Sequence, residues 1–363
     1  SVSSSAIGEY EYRSISTIQE ETPARWIETY KTKWRTIEVD VSIEVPVVDQ
    51  FPVIQIKQGD ILPTDLFKDY EYIHENRKGS FVAAKDKEHA DTFFDFPIEL
   101  RQKVLGIYHN GEEPNVQPEN NHFNYQDALD YSVSEICRLC ACTSDELQVF
   151  ETKVTTGYYR SKYKNMHERI WYEYVTGIGE YEFKFRQLFH GISMETAMEC
   201  YSTACRRNEA ALGLFPHYFV NITDRNSFMI WGNHYKETRI KYEDIPIISF
   251  YDAKEAIEAE IMSGHLRSID TVKLCYIPYI DKADNSVVWL LPGWYVSGGY
   301  TRNASKEFEP YYNDNGEMVD DGIERRPVVF EANIGELIDY NANGRSRRHV
   351  PNIYTWDDLG FAR

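Results

Sequence analysis

The segment Ser249–Ile261, with the sequence SFYDAKEAIEAEI, decides the fold that we expect for this chain. The Ser249 hydroxyl can accept hydrogen bonds from the free backbone N–H groups of a first helical turn, and Asp252 adds a favourable negative charge there. Alanine and isoleucine then recur every three or four positions, while the glutamates fall between them. This spacing predicts an amphipathic helix with one face packed on a sheet.

Three strand-like segments follow this helix. Residues 272–276 and 287–291 flank a polar stretch at 281–285, which predicts a β-hairpin. Pro292 and Gly293 predict an interruption or a bend in the second strand, and residues 328–338 supply a last apolar segment. The order is therefore helix, strand, strand, strand, which predicts an α+β fold of antiparallel sheets with packed helices.

The same order occurs earlier in the chain. One constant offset relates Ser249, Phe250, Asp252, Ala253 and Ile261 to a second set of residues, namely Asn124, Tyr125, Asp127, Ala128 and Ile136. Leu147 and Val149 then match Val272 and Leu274 without a gap. We expect tandem helix-strand-strand-strand repeats, the first of which carries a tyrosine-rich insertion; a single continuous α+β domain is the alternative.

The remaining segments define the predicted domains. Alternation within Trp34 to Val45 predicts a strand, and the spacing of Leu100, Val104 and Tyr108 predicts a helix. A linker rich in Asn, Gly and Pro at 109–122 gives the best boundary. We predict four parts: a tether at 1–8, an N-terminal α+β region with edge strands at 9–120, a first unit at 121–245, and a second unit with the C-terminal tail at 246–363.

Charge and composition exclude several classes of partner. A net charge of −19 argues against binding to nucleic acid or to anionic lipid, since a polyanion would be repelled. Hydrophobic content of 42% with 27% charged residues is typical of a globular protein, and no apolar run approaches the length of a membrane span. The chain begins at Ser1 without a methionine, which fits removal of a leader.

Motif searches give no catalytic, cofactor or metal site. The sequence lacks a nucleophile elbow, a phosphate loop and a complete dinucleotide-binding turn. Cys137, Cys140 and Cys142 form a Cys-x-x-Cys-x-Cys cluster, but no nearby histidine or second close cysteine pair completes a tetrahedral zinc site. We therefore predict a protein that is not an enzyme.

Aromatic residues are the one compositional excess. The segment after the second strand of the last unit contains Trp294, Tyr300, Tyr311 and Tyr312, and these residues are our candidates for binding a ligand or a partner. An exposed platform of such rings suits a glycan or a peptide. Packing of the same rings in the core is the alternative.

The last unit resembles the PepSY-like and YycI-like extracytoplasmic domains of Gram-positive bacteria. The resemblance rests on the helix described above together with three further segments, VKLCYIPYI at 272–280, VVWLLPGWYVSGG at 287–299 and VVFEANIGELI at 328–338. With IEVDVSIEVP at 37–46, the layout is also similar to uncharacterised lipoproteins of Gram-positive gut bacteria. The tyrosine-rich insertion and the segment after Trp294 depart from the compact pattern.

This resemblance implies a secreted protein held at the cell surface by a lipid anchor on a leader that precedes the chain. It implies non-enzymatic regulation through contact with a protein partner or a component of the cell envelope, and it carries over no catalytic residue. The alternative function is glycan or peptide binding by an exposed aromatic surface. Fold similarity alone does not establish either function.

Overall fold

The computed structural model describes residues 10–58, 68–75, 80–86, 98–101, 104–156, 159–163, 169–170, 179–195, 217–280, 288–300, 311–312, 318–320, 324–332 and 337–338. The chain forms two compact units, each built from separate stretches. Unit 1 comprises 1–57, 190–214 and 237–363, and unit 2 comprises 58–189 and 215–236. These limits differ from the sequential domains that we predicted, which stay predictions.

Unit 2 is a sheet with one long helix. The helix is α2 (Tyr125–Cys140), and the strands are β5 (Tyr72–Glu75), β6 (Ser80–Ala84), β7 (Ile98–Arg101), β8 (Val104–His109), β9 (Leu147–Thr155), β10 (Tyr159–Tyr163), β11 (Arg169–Ile170), β12 (Tyr181–Phe189), β14 (His217–Ile222) and β15 (Phe228–Asn233). The main sheet has the order β5-β6-β15-β14-β12-β9-β8, and neighbouring strands in this order pair antiparallel. A small sheet joins β11, β10 and β7.

Unit 1 contains two helices and the remaining strands. The helices are α1 (Ile15–Glu21) and α3 (Phe250–Met262), and the strands are β1 (Tyr12–Arg13), β2 (Arg25–Lys31), β3 (Thr36–Glu44), β4 (Val53–Gln58), β13 (Ile192–Ser193), β16 (Tyr235–Tyr242), β17 (Ile247–Ile248), β18 (Thr271–Ile280), β19 (Val288–Tyr300), β20 (Tyr311–Tyr312), β21 (Met318–Asp320), β22 (Glu324–Glu331) and β23 (Leu337–Ile338). The main sheet has the order β16-β4-β19-β18-β3-β2, and β22 pairs with β19.

These sheets and helices confirm the predicted α+β class with mostly antiparallel sheets. The predicted hairpin is present, because β18 and β19 pair antiparallel along their length. The strand predicted around Ile37 is β3, whose apolar side chains are buried while the intervening ones are exposed. One parallel pair, β18 with β3, departs from the antiparallel rule.

Both long helices begin with the predicted caps. The Asn124 side chain accepts a hydrogen bond from the Asp127 backbone at 2.8 Å, and Ser249 accepts one from Asp252 at 3.2 Å. Each helix then buries one face. In α2 the buried apolar residues include Tyr125, Ala128, Ile136 and Leu139, and in α3 they are Phe250, Ala253, Ile257 and Ile261.

Two local predictions were wrong. Residues 98–101 and 104–109 form strands β7 and β8 instead of a helix. Leu100, Val104 and Tyr108 recur every four residues, and this spacing fits the two-residue period of a strand as well as the helical period. Of the interruption or bend predicted at Pro292, the interruption is wrong, because strand β19 continues through this residue, and the bend stays a prediction. The partner strand changes at this point from β4 to β22, so the missing N–H group of Pro292 falls between the two ladders.

Candidate functional site

The structure places Trp294 in the core of unit 1. Its side chain is fully buried, its indole N–H donates to the Ile248 carbonyl at 3.0 Å, and its ring meets Phe250 edge-on at 5.3 Å. Tyr300 is only 9% exposed and stacks on His265 with the ring centroids 5.9 Å apart. The expected exposed platform is therefore wrong for Trp294 and Tyr300, since apolar burial and a satisfied indole N–H outweigh exposure at these positions.

The other two predicted residues, Tyr311 and Tyr312, form the short strand β20, which pairs with β21. Their side chains lie outside the described residues. The assignment of Tyr311 and Tyr312 to a ligand or partner surface stays a prediction.

Unit 2 has an open groove of about 640 Å³ between helix α2 and strand β9. Leu129, Val133 and Cys137 form one wall, which we call the helix ridge, and Leu147 and Val149 form the other. All five side chains are only partly buried, so they present apolar surface to an incoming group. The groove is open to solvent, so it offers an apolar contact surface and does not enclose a ligand.

Local sequence explains why the helix ridge exists. Residues four apart on a helix share a face, so Leu129, Val133 and Cys137 line up along α2. Ala128 and Ile136 are fully buried against the sheet on the adjacent face. The apolar stripe of α2 is thus wider than the contact with the sheet, and its outer margin forms the ridge.

The end of the groove is shaped by a left-handed turn. Helix α2 ends at Ala141, whose backbone has φ 51° and ψ 42°. This turn allows Cys142 to line the same groove as Cys137. Thr143 and Glu146 then form a reciprocal capping box, with Thr143 donating to the Glu146 carboxylate from its backbone at 3.1 Å and from its hydroxyl at 2.9 Å. The loop is held by its own hydrogen bonds.

The rim of the groove is polar, and its ionised groups are acidic. Asp130, Ser134, Thr143 and Ser144 line it, and the buried ring of Phe185 lies among the apolar residues. Asp145 and Glu146 follow directly in a short 3₁₀ helix. A hydrogen bond from Thr143 lowers the pKa of Asp145, so that carboxyl is ionised at neutral pH. The groove therefore combines apolar walls with a negative edge.

The three cysteines near the helix end are protonated at neutral pH. Burial raises the pKa of Cys137 and of Cys142, and it raises the pKa of Cys140 to about 12. Neutral thiols are poor nucleophiles and poor metal ligands. In the described part of the chain, no group of three or more His, Cys, Asp and Glu side chains is arranged to hold a metal ion.

A charged cluster anchors α2 beside the groove. Glu135 accepts hydrogen bonds from Tyr70 at 2.5 Å and from Arg138 at 2.8 Å, and the Lys85 ammonium lies 3.5 Å away. Burial disfavours ionisation of Glu135, but the hydrogen bonds from Arg138 and Tyr70 prevail and lower its pKa. This network fixes the helix against the residues that flank β5 and β6.

A chain of polar groups lies beneath the helix end. The Tyr218 hydroxyl is 2.6 Å from His234 Nδ1, and Tyr218 is also among the groups that act on the pKa of Cys140. All three side chains are buried. Sequence reasoning missed both this chain and the groove. The ridge had a sequence signal in its four-residue spacing, whereas nothing local connects Cys140, Tyr218 and His234.

The fold defines a class, namely a mixed α+β protein of two compact units with mostly antiparallel sheets. Unit 2 carries an apolar groove. Of the helices in the described residues, none is both long and apolar enough to cross a membrane. No protein-family model matches the chain, and no curated protein matches it in sequence. The chain is similar in fold to the crystal structure of an uncharacterized protein from Eubacterium rectale ATCC 33656. The two share 12% sequence identity with a TM-score of 0.50, and the match covers 90% of this chain and 97% of that chain.

Proposed function

We propose that this protein is a non-enzymatic extracellular interaction or regulatory protein that binds an extended segment of a partner protein in the groove between α2 and β9. The observation that carries this proposal is the pairing of the helix ridge with Leu147 and Val149 around an open apolar volume of about 640 Å³. Apolar side chains of a partner can be buried there, which is the main source of affinity in such grooves.

Charge narrows the chemistry of the partner segment. The rim contributes Asp130, with Asp145 and Glu146 close by, and the whole chain carries a net charge of −19. A segment with apolar anchors flanked by Lys or Arg is therefore complementary in charge as well as in polarity. An acidic segment would be repelled.

We also propose the finer architecture that the sequence predicts. Each unit has a capped helix followed along the chain by an antiparallel ladder, β9-β12-β14 in unit 2 and β18-β19-β22 in unit 1. This shared order supports a tandem duplication of PepSY-like or YycI-like units. Secretion and a lipid anchor on a preceding leader complete the proposal, and they rest on the sequence resemblance.

Short synthetic peptides test the groove. The probe is a fluorescent peptide with adjacent leucines flanked by lysines, and two further peptides replace the leucines by serines or the lysines by glutamates. We expect the first peptide to bind, by fluorescence anisotropy, and the other two to bind much more weakly. Val133→Asn removes apolar contact from the ridge without changing charge, and it should weaken binding by about tenfold.

Ile73→Asn is the matched control, because Ile73 is 44% exposed on β5 of the same unit and lies away from the groove lining. This variant should bind the peptide as the wild type does. The proposal would be contradicted if none of the three peptides bound. It would also be contradicted if both variants lost the same affinity for the leucine–lysine peptide. Circular dichroism checks that each variant is folded.

A further inference from the structure

Two cysteines meet at one end of the groove. Cys137 lies in the last turn of α2, Cys142 follows the left-handed turn at Ala141, and both side chains line the groove. The Cys142 thiol is also among the groups that act on the pKa of Cys137, so the two side chains are neighbours. Neither is in a disulfide, and Cys137 is the more exposed of the two. Two neighbouring thiols, one of them partly exposed, are the groups that thiol–disulfide exchange uses.

Cys140 lies between them in sequence but belongs to the core. It is buried, and Tyr218 is among the groups that act on its pKa. It is absent from the groove lining. The geometry therefore distinguishes the pair that faces the groove from the third cysteine of the cluster.

We propose that Cys137 and Cys142 are a redox-active dithiol whose closure to a disulfide tunes binding in the groove. The oxidant is a low-molecular-weight disulfide. Cys137 loses its proton to solvent, and the resulting thiolate attacks one of the two sulfurs of this oxidant, which forms a mixed disulfide and releases one thiolate. Cys142, after losing its proton to solvent, attacks the Cys137 sulfur, which forms the protein disulfide and releases the second thiolate. The oxidant is thereby reduced to two thiols, and the two cysteines are oxidised.

Exposure assigns the order of these steps. Cys137 is half-buried and can meet a dissolved disulfide, whereas Cys142 is only 9% exposed and can attack only a sulfur that is already beside it. Because burial raises the pKa of both thiols, exchange should be slow at neutral pH and faster as the pH rises. The redox state of the pair therefore equilibrates slowly with the thiols and disulfides in solution. The pair does not act as a rapid redox catalyst.

The disulfide would join the wall of the groove to its end. The loop at 142–144 is held by the Thr143–Glu146 hydrogen bonds, and the disulfide would add a covalent link between this loop and the last turn of α2. Less ordering is then needed when a ligand binds, so the oxidised chain should bind the leucine–lysine peptide roughly threefold more tightly. This part of the inference rests on the proposed function, but formation of the disulfide does not.

Mass spectrometry tests the disulfide directly. The full chain is equilibrated with mixtures of reduced and oxidised glutathione, its free thiols are alkylated, and it is digested with trypsin, which cleaves after Arg138 and so separates the two cysteines. We expect a cross-linked pair of peptides that has lost two hydrogens, with Cys140 alkylated. Cys140→Ala should preserve the cross-link, and Cys137→Ser should abolish it.

The outcomes separate the two proposals. Full alkylation of Cys137 and Cys142 at the highest proportion of oxidised glutathione, a persistent mixed disulfide, or a link to Cys140 would overturn the dithiol assignment. A correct cross-link with an unchanged peptide affinity would overturn the tuning. A correct cross-link in a chain that binds the peptide in neither redox state would leave the dithiol standing and would reject the proposed function.

Discussion

His234 is the residue whose ionisation the fold controls most clearly. Its imidazole is buried, and burial together with the nearby Lys236 ammonium lowers its pKa from 6.5 to about 4. The unprotonated Nδ1 is then free to accept a hydrogen bond from the Tyr218 hydroxyl at 2.6 Å. Folding therefore selects the neutral form of this histidine, which links stability to pH.

We expect this link to appear as a loss of stability in acid. Above pH 6.5 the histidine is neutral in the folded and unfolded states, and the stabilisation is fully present. As the pH falls from 6.5 toward 4, the unfolded chain binds a proton that the folded chain does not, so the free energy of unfolding should fall by roughly 3 kcal/mol from this residue. Urea unfolding followed by circular dichroism, at a series of pH values, measures it.

His234→Gln is the comparison for this measurement. The glutamine side chain can still accept from Tyr218 and does not titrate, so the variant should lose less stability than the wild type over the same pH window. Parallel pH profiles for the two proteins would show that another group causes the acid sensitivity.

At the scale of elements, the end of α2 carries local strain. Ala141 adopts a left-handed conformation with φ 51°, which places its Cβ close to the following carbonyl oxygen. Glycine is the residue usually found at this position because it has no Cβ. The same turn allows Cys142 to line the groove.

Ala141→Gly should therefore stabilise the protein by roughly 0.5 to 1 kcal/mol, since the relief of strain exceeds the extra freedom of glycine in the unfolded chain. Ala259→Gly is the control, because Ala259 is exposed in right-handed helix α3 and its replacement should cost roughly 1 kcal/mol. Thermal and urea unfolding give both changes. A destabilised Ala141→Gly would mean that the Ala141 side chain contributes packing that outweighs its backbone strain.

At the scale of the whole molecule, each unit is assembled from distant parts of the chain. The sheet of unit 2 needs β6 to pair with β15 and β8 to pair with β9, yet β6 and β8 precede residue 121. A unit cut at the predicted boundaries would leave the edges of both β9 and β15 unpaired.

Two fragments test this dependence. Residues 58–236 contain every strand of the main sheet of unit 2, and we expect this fragment to unfold cooperatively. Residues 121–245, the first unit as predicted from the sequence, should lack a cooperative transition in thermal denaturation. Cooperative unfolding of the shorter fragment would instead support the sequential domains.

The sequence by itself determined the features that depend on neighbouring residues. The caps at Asn124 and Ser249, the apolar stripes of α2 and α3, and the alternation in β3 are all set by contacts within a few positions, so their periods are visible in the chain. Local patterns were ambiguous where the spacing of apolar residues fits both a helix and a strand, as between Leu100 and Tyr108.

Only the tertiary structure decided which surfaces meet. The burial of Trp294 depends on the Ile248 carbonyl and on Phe250, and the groove depends on β9 lying beside the helix ridge. The chain from Cys140 through Tyr218 to His234 joins residues far apart in sequence. Such contacts leave no repeating pattern in the sequence, because they arise when packing brings distant segments together. The candidate site consists almost entirely of such contacts.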